Sequence, residues 1–245
     1  AYHYLLAIFT YIPGLDNLMV IKITSTVADF LMAGALGLLV WRFTNSFWKS
    51  CVVYAVVLCL PTVFLNSSAW GQCDAMYTTL ILLSCYFWFS NKKAASLAIY
   101  GVALAVKLQA IYLLPAFVIF WLCGKARLRH FLWMALGFVL PFLTAVIASR
   151  NLNRFVLAYQ QQTNIYGLSL NINNGVSLLE GLDPDQMQQH SQALILLALV
   201  GIGIIAFYCW QQKASITKMG ELLVMLAMLG VVPFLMPGMH ERYFY

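Results

Sequence analysis

Long apolar runs separated by short polar links make up most of the chain. The runs that approach the length of a membrane span cover residues 21–41, 50–65, 75–89, 94–123, 131–149, 192–210 and 220–236. Because a transmembrane helix needs about 20 predominantly apolar residues, this pattern predicts an all-α polytopic membrane protein. The run at residues 1–14 is too short to span the membrane and is expected to form an interfacial helix. The polar stretch at 150–190 is expected to form an outer loop.

The run at residues 94–123 is interrupted near its centre by two polar residues, Lys107 and Gln109. A charged side chain at the middle of a bilayer costs about 3 kcal/mol, and basic residues flank both ends of this run. Since the positive-inside rule places both basic ends in the cytoplasm, we expect a hairpin of two short helices with Lys107 near its outer tip. The chain is then expected to form a single transmembrane domain with about eight membrane segments.

Composition and charge favour a membrane protein of fixed orientation. Hydrophobic residues make up 62% of the chain and charged residues 9%, with a mean hydropathy of +0.82, which excludes a soluble domain. The links on one predicted side carry the basic residues Arg42, Lys49, Lys92, Lys93, Lys125, Arg127, Arg129, Lys213 and Lys218. The opposite side carries fewer basic residues, namely Lys22, Arg150, Arg154 and Arg242 with Lys107 at the hairpin tip. It also carries the acidic residues Asp16, Asp74, Glu180, Asp183, Asp185 and Glu241. The basic side is expected to be cytoplasmic, so the net charge reflects orientation and not nucleic-acid binding.

Four polar clusters fall on the predicted outer face, at residues 70–74, 107–109, 166–174 and 240–243. Each cluster can be explained by structure alone, without a ligand or a reaction. Asp74 is favoured at the start of a helix by the helix dipole, and Lys107 could pair with Asp29 inside the first span. The asparagines of the third cluster favour turns, and the fourth could be a solvated loop. The functional alternative is a shared polar site, because cations and amides are the groups that bind phosphates and sugar hydroxyls.

The same clusters resemble, in chain order, the signature blocks of bacterial GT-C glycosyltransferases related to the GPI-anchor mannosyltransferases. More distantly, they are similar to the eukaryotic glucosyltransferases that build the N-glycan precursor. The blocks are Trp70-Gly71-Gln72-Cys73-Asp74-Ala75-Met76-Tyr77, Lys107-Leu108-Gln109-Ala110, Leu168-Ser169-Leu170-Asn171 and Met239-His240-Glu241-Arg242-Tyr243.

This resemblance implies an enzyme, specifically a hexosyltransferase of the bacterial plasma membrane with an extracytoplasmic active site. Its donor would be mannose or glucose linked to polyprenyl phosphate, and its acceptor an extracytoplasmic glycan, lipid or protein, with inversion at the transferred sugar. The partners implied are the lipid-linked donor, the acceptor and membrane lipids, without nucleic acid. No cofactor is certain; some members of the class use a divalent cation, Mg or Mn, for which Asp74 is the candidate ligand.

The resemblance also implies roles for individual residues. Asp74 is expected to be catalytic, as an acid that orients donor or acceptor hydroxyls. The donor phosphate is expected to contact Lys107, Gln109, His240 and Arg242. The sugars are expected to contact Trp70, Gln72, Tyr77, Asn171 and Glu241.

Residues 1–14 resemble the distal half of the family's first outer loop, which carries the main catalytic base. The main base is therefore expected upstream of Ala1, and the chain is expected to be a fragment that lacks the first transmembrane helix and the C-terminal region. Two other classes of protein remain open. A multi-pass transporter or lipid flippase would place polar residues throughout the membrane depth, and a membrane scaffold would need no site at all.

Overall fold

The computed structural model describes residues 16–149 and 184–236, together with Leu6, Gly14 and the residue pairs 169–170 and 239–240. Its helices are α1 (Asn17–Thr44), α2 (Phe47–Leu58), α3 (Pro61–Phe64), a π-helix (Leu65–Ala69), α4 (Asp74–Phe89), α5 (Lys93–Val106), a 3-10 helix (Leu108–Leu113), α6 (Leu114–Leu122), α7 (Arg129–Ser149), α8 (Pro184–Gln211) and α9 (Lys218–Leu235). Two short strands, β1 (Ser169–Leu170) and β2 (Met239–His240), pair in parallel. The predicted helical fold is confirmed. The interfacial helix expected at 1–14 lies outside the described residues, apart from Leu6 and Gly14.

Three helical segments of the described chain are long and apolar enough to cross a membrane: Asn17–Thr44, Gln192–Gln211 and Lys218–Leu235. A fourth is obtained if Phe47–Leu58 and Pro61–Ala69, which are bent by 53° at their junction, count as one broken span. The remaining apolar helices are shorter, so these criteria support a membrane protein without reaching the expected eight segments. The number of segments stays a prediction.

The span predicted at 50–65 is broken in the structure. The helix ends at Leu58, and a new helix begins at Pro61 with an extended Leu60 before it. Proline has no backbone N–H and disfavours a helical conformation of the preceding residue. The chain therefore bends before Pro61 and continues directly into the π-helix that precedes Trp70.

The described residues form two compact units. The first contains α1 to α5 and most of α7, and the second contains α6, α8, α9 and the pair of strands.

Within the first unit, hydrogen bonds fix the directions of three helices. The side chain of Arg42, near the end of α1, donates to the carbonyl oxygen of Phe89 at the end of α4 at 3.1 Å. Earlier in both helices, Oγ1 of Thr79 on α4 donates to the carbonyl oxygen of Ala28 on α1 at 3.4 Å, so the two helices run parallel. Ser84 of α4 and Ser96 of α5 exchange side-chain hydrogen bonds with each other's carbonyl oxygens, at 2.9 and 2.8 Å. Helix α5 returns antiparallel to α4, so the start of α4 lies beside the end of α5.

Two glycines allow α5 and α7 to approach closely. A Cβ atom added at Gly101 would lie 2.0 Å from the carbonyl oxygen of Met134, and one added at Gly137 would lie 2.0 Å from that of Ala98. Contacts this short exclude every side chain. Small residues at helix interfaces are a common basis of packing in membranes, where lipid provides no hydrophobic force between helices.

The segment at 94–123 is broken where its polar residues predicted a break. Helix α5 ends at Val106, Lys107 is extended with φ −150° and ψ 129°, and the 3-10 helix starts at the next residue. The side chain of the buried Tyr100 donates to the carbonyl oxygen of Ala110 at 2.8 Å and holds the segment after the break. The prediction of two helices with Lys107 between them therefore agrees with the observed helix bounds.

In the second unit, α6, α8 and α9 surround a core that includes Phe117, Phe120, Met225 and Met228. Helix α8 starts at Pro184, so part of the outer loop expected at 150–190 is helical instead. A proline is well suited to the first turn of a helix, where its missing N–H has no partner to lose. The rest of that expected loop, apart from β1, lies outside the described residues.

A buried aspartate–lysine pair as candidate active site

Asp74 is the first residue of α4 and is 4% exposed. Its Oδ1 atom pairs with Nζ of Lys107, and its Oδ2 atom accepts a hydrogen bond from Nδ2 of Asn66 at 3.2 Å. The start of the helix also favours a negative charge. A donor on each oxygen holds the carboxylate in one orientation, which is a requirement for a group that must orient a substrate hydroxyl.

Lys107 reaches Asp74 because α4 and α5 are antiparallel and the chain is extended just after α5. Its ammonium also lies over the ring of Tyr77, 5.4 Å from the ring centre, in a cation–π arrangement. The structural alternative of a pair between Lys107 and Asp29 is therefore wrong. The partner is Asp74, so the residues expected to contact phosphate and to act as catalytic acid are in direct contact.

Asp29 instead contacts the π-helix. Its Oδ2 atom is hydrogen-bonded to Oγ of Ser67, which also lies 3.1 Å from the carbonyl oxygen of Val63. Asp29 is 4% exposed and Ser67 is 1% exposed. Two buried aspartates are thus linked through neighbouring residues of a single π-helix, Ser67 on Asp29 and Asn66 on Asp74.

The turn that leads into Asp74 is folded onto the same π-helix. The backbone N–H groups of Gly71 and Gln72 donate to the carbonyl oxygens of Ser67 and Asn66, at 2.7 and 3.0 Å. Gly71 has a positive φ of 67°, and a Cβ atom there would lie 2.9 Å from Cγ2 of Ile21. Glycine is therefore required at this position by both conformation and space.

The expected sugar-binding residues of the first unit differ in exposure. Trp70 is 62% exposed, Gln72 is half-buried, and Tyr77 is buried beneath Lys107. Gln109, expected to bind phosphate, is half-buried, and its side-chain oxygen has no hydrogen-bond partner among the described residues. A buried polar atom without a partner in a native structure requires a reason, and a ligand that donates a hydrogen bond is one.

The other two sequence blocks meet in the second unit. Ser169 pairs with Met239 and Leu170 pairs with His240 in the parallel strands. The expected site residues Asn171, Glu241 and Arg242 adjoin this pairing in sequence but lie outside the described residues. The described part of each block, Ser169–Leu170 and Met239–His240, is therefore paired through its backbone.

In the first unit, Asp74 lies at one end of α4, and the basic residues Arg42 and Lys93 lie at the other. At the far end, Arg42 bonds the carbonyl oxygen of Phe89, and Nζ of Lys93 donates to that of Trp88 at 3.0 Å. Helix α4 has 16 residues, and at a rise of 1.5 Å per residue its ends are about 24 Å apart. The Asp74–Lys107 pair is therefore separated from the basic end by most of a membrane's hydrocarbon thickness.

Comparison with known families decides the class of this protein. The model of glycosyltransferase family 87 matches residues 2–233, which is most of the chain. The chain belongs to glycosyltransferase family 87. Searches of curated proteins and of solved structures found no significant match. As a member of this family the protein is a glycosyltransferase enzyme, and its apolar helices make it a membrane protein.

For this glycosyltransferase, the described residues do not fit a divalent cation at Asp74. Both oxygens of the carboxylate already accept from donors, one of them an ammonium. Over the described ranges, no group of three His, Cys, Asp or Glu side chains could hold a metal ion. Metal dependence stays an untested expectation, and no step below uses a metal.

The sequence analysis missed Asn66 and Ser67, which bring the two aspartates of this glycosyltransferase together. The available signal was three polar residues, Asn66, Ser67 and Ser68, between an apolar run and the Trp70 block. These residues were expected to belong to the link that follows the span at 50–65, without a role in the site. A π-helix, which widens the backbone by one residue per turn and recurs at functional sites, has no pattern that sequence periodicity can detect.

Proposed function

We propose that this glycosyltransferase is of the GT-C class and transfers a hexose, mannose or glucose, from a polyprenyl-phosphate-linked donor. The acceptor is an extracytoplasmic glycan, lipid or protein, the configuration of the transferred sugar is inverted, and the enzyme acts in a bacterial plasma membrane. The observation that carries the proposal is the buried pair of Asp74 and Lys107. It places a carboxylate and a cation together at one end of an apolar helical unit.

The position of the pair supports an extracytoplasmic site. The positive-inside rule assigns the basic end of α4, with Lys93 and Arg42, to the cytoplasm. Asp74 and Lys107 are at the other end of the same helix. A lipid-linked donor can reach such a site laterally, with its hydrocarbon chain remaining in the bilayer and its phosphate at the polar boundary.

The chemistry of inverting transfer needs two features. The acceptor oxygen attacks the anomeric carbon, the bond from that carbon to the phosphate oxygen breaks, and its electron pair leaves with the phosphate. The hydroxyl proton passes to a general base. The negative charge on the departing phosphate must be stabilised by preorganised donors.

In this proposal Lys107 serves the second need, and Asp74 has a separate, orienting role. Lysine is an effective phosphate-binding residue, and Lys107, with Gln109, is the proposed contact for the leaving phosphate in the first unit. Asp74 orients a sugar hydroxyl by accepting a hydrogen bond from it. Trp70 and Gln72 are proposed sugar contacts because they closely precede Asp74 in the chain and are not fully buried. Tyr77 is proposed as a further contact, and His240, Arg242, Asn171 and Glu241 keep their expected roles.

The donor can be tested with the full chain purified and reconstituted in lipid vesicles. We expect label to pass to acceptor from a radiolabelled polyprenyl-phosphate hexose but not from the corresponding nucleotide hexose, and the product to have the opposite anomeric configuration. Lys107→Ala should raise KM for the lipid-linked donor by about 100-fold, because a charge-assisted contact to phosphate is lost. Transfer from the nucleotide sugar, or an unchanged donor KM in Lys107→Ala, would contradict the proposal.

A multi-pass transporter or lipid flippase is disfavoured by the match to a glycosyltransferase family over residues 2–233. The same reconstituted vesicles separate the two functions. A flippase moves the labelled lipid between leaflets without an acceptor and forms no new glycosidic bond, whereas the enzyme proposed here needs the acceptor.

A further inference from the structure

The π-helix at Leu65–Ala69 connects Asp74 to a second buried aspartate, Asp29. Asn66 donates to Asp74 at 3.2 Å, and Ser67 is hydrogen-bonded to Asp29 on α1. The exposed fractions of Asn66 and Ser67 are 7% and 1%. Polar groups this deeply buried between apolar helices are expensive to keep in a membrane protein and usually serve a function.

The same two residues also hold the turn before Asp74 through their backbones. The carbonyl oxygen of Ser67 accepts from Gly71, and that of Asn66 accepts from Gln72. Each residue thus connects one aspartate by its side chain and one turn residue by its backbone. A shift of the π-helix would move the turn and the start of α4 together.

The two polar atoms of the Asn66 side chain differ in their hydrogen bonding. Its Nδ2 atom donates to Asp74, whereas its Oδ1 atom is buried and has no hydrogen-bond partner within the described ranges. The amide cannot be reversed, because its oxygen would then face a carboxylate oxygen. A buried polar atom without a partner costs about 1–3 kcal/mol. The contact with Asp74 is therefore kept at the expense of stability, as expected for a contact that serves the reaction.

We propose that Asn66 and Ser67 are positioning residues for glycosyl transfer, with Asp29 as the anchor that fixes the π-helix against α1. This inference rests on the proposed catalytic role of Asp74. Asn66 orients the carboxylate directly through Oδ2. Ser67 acts one step further away, since its bond to Asp29 fixes the π-helix that carries Asn66.

Asp29 and Asp74 differ in what they require. Asp29 needs only to hydrogen-bond Ser67, and an asparagine can either accept from or donate to that hydroxyl. Asp74 contacts an ammonium and is expected to need its charge. The substitution of Asp29 by Asn should therefore preserve transfer, whereas substitution by Leu, of similar size, should impair it.

The experiment compares five variants of the full chain in the vesicle assay: Asn66→Leu, Ser67→Ala, Ser68→Ala, Asp29→Leu and Asp29→Asn. Ser68→Ala is the matched control, because Ser68 is the next residue of the same π-helix and its hydroxyl lies 3.1 Å from that of Thr26, also on α1. Rates are normalised to the amount of protein that is monodisperse after purification. Any loss of folded protein is therefore counted separately from kcat.

The proposal predicts that Asn66→Leu lowers kcat by about 10-fold or more while KM for the donor changes by less than about twofold, because orientation and not binding is lost. Ser67→Ala and Asp29→Leu should lower kcat by about 3- to 10-fold for the same reason. Asp29→Asn and Ser68→Ala should retain the wild-type kcat. Rescue by Asn at position 29 is the result that a purely electrostatic role of Asp29 would not give.

Three outcomes overturn the inference while leaving the proposed function intact. One is a wild-type kcat in Asn66→Leu and Ser67→Ala when Asp74→Asn is inactive in the same assay. The second is an equal loss of kcat in Asp29→Asn and Asp29→Leu, and the third is an equal loss of kcat in Ser67→Ala and Ser68→Ala. If Asp74→Asn itself transfers at the wild-type rate, the proposed role of Asp74 fails first, and the inference fails with it.

Discussion

Two lysine–carboxylate pairs, one in each compact unit, illustrate two uses of charge in this membrane protein. In the first unit, Asp74 and Lys107 have side chains that are 5% and 17% exposed, and Asn66 occupies the second carboxylate oxygen. In the second unit, Glu221 and Lys125 are 3.6 Å apart and are 8% and 27% exposed. The ammonium of Lys125 also donates to the carbonyl oxygen of Ile216 at 3.0 Å.

The surroundings of the pairs show what distinguishes a candidate site from a structural contact. Lys125 follows α6 and bonds both the link before α9 and the first turn of α9, so its interactions tie two helix ends together. In the first unit, the side-chain oxygen of Asn66, which bonds Asp74, is buried without a hydrogen-bond partner among the described residues. The same holds for the side-chain oxygens of Gln109, two residues after Lys107, and of Ser25 on α1. Structural contacts tend to satisfy their atoms, whereas functional sites keep atoms available for a ligand.

The largest expected difference in stability is between a variant that lacks Lys107 and one that lacks Lys125. Lys107→Met should lower the free energy of unfolding by about 3 kcal/mol, because it leaves a buried carboxylate without its cation. Lys125→Met should lower it by about 1 kcal/mol, since that pair is longer and partly exposed. Thermal unfolding of the purified variants in detergent measures both. Equal losses would mean that the two pairs are alike and would remove the basis for treating only one as a site.

A smaller contrast is expected between two glycines with positive φ, Gly71 before Asp74 and Gly124 after α6. Gly71→Ala should lower the free energy of unfolding by about 2–3 kcal/mol, because strain of the left-handed conformation adds to a contact with Ile21 that is too short. Gly124→Ala should lower it by about 1 kcal/mol, since nothing lies within 4 Å of its added Cβ.

The same two glycine variants should also differ in their kcat for glycosyl transfer. Gly71→Ala displaces the turn that leads into Asp74 and should reduce kcat by about 10-fold, whereas Gly124→Ala should leave it unchanged. The vesicle assay with normalisation to folded protein measures this. A normal rate in Gly71→Ala would show that the turn does not hold Asp74 in place.

The helical class of the fold followed from the sequence because apolar length is a direct physical requirement of a membrane span. The break at Lys107 was predictable for the same reason, since a charge cannot remain at mid-membrane. The bend at Pro61 was missed although proline is a strong local signal, because the apolar run continued through it. The number of membrane segments depends on packing as well as on hydropathy, and it stays a prediction.

The site was partly predictable. Asp74 and Lys107 were each identified as unusual charges, but their contact depends on the antiparallel return of α5, which no local pattern specifies. The expected alternative partner, Asp29, was equally reasonable from sequence, since any two buried charges of opposite sign can pair. In the structure Lys107 pairs with Asp74, and Asp29 is hydrogen-bonded to Ser67. The contacts of Ser67 and Asn66 come from a π-helix, a form that the spacing of residues does not reveal.

The central claim is that the carboxylate of Asp74, and not buried charge in general, supports glycosyl transfer. The most direct measurement compares Asp74→Asn with Glu221→Gln, two changes that remove one charge and keep the shape of the side chain. In reconstituted vesicles with the polyprenyl-phosphate hexose, Asp74→Asn should retain about 1% of the wild-type kcat or less, and Glu221→Gln should retain nearly all of it. Equal rates in the two variants, whether both normal or both low, would contradict the account.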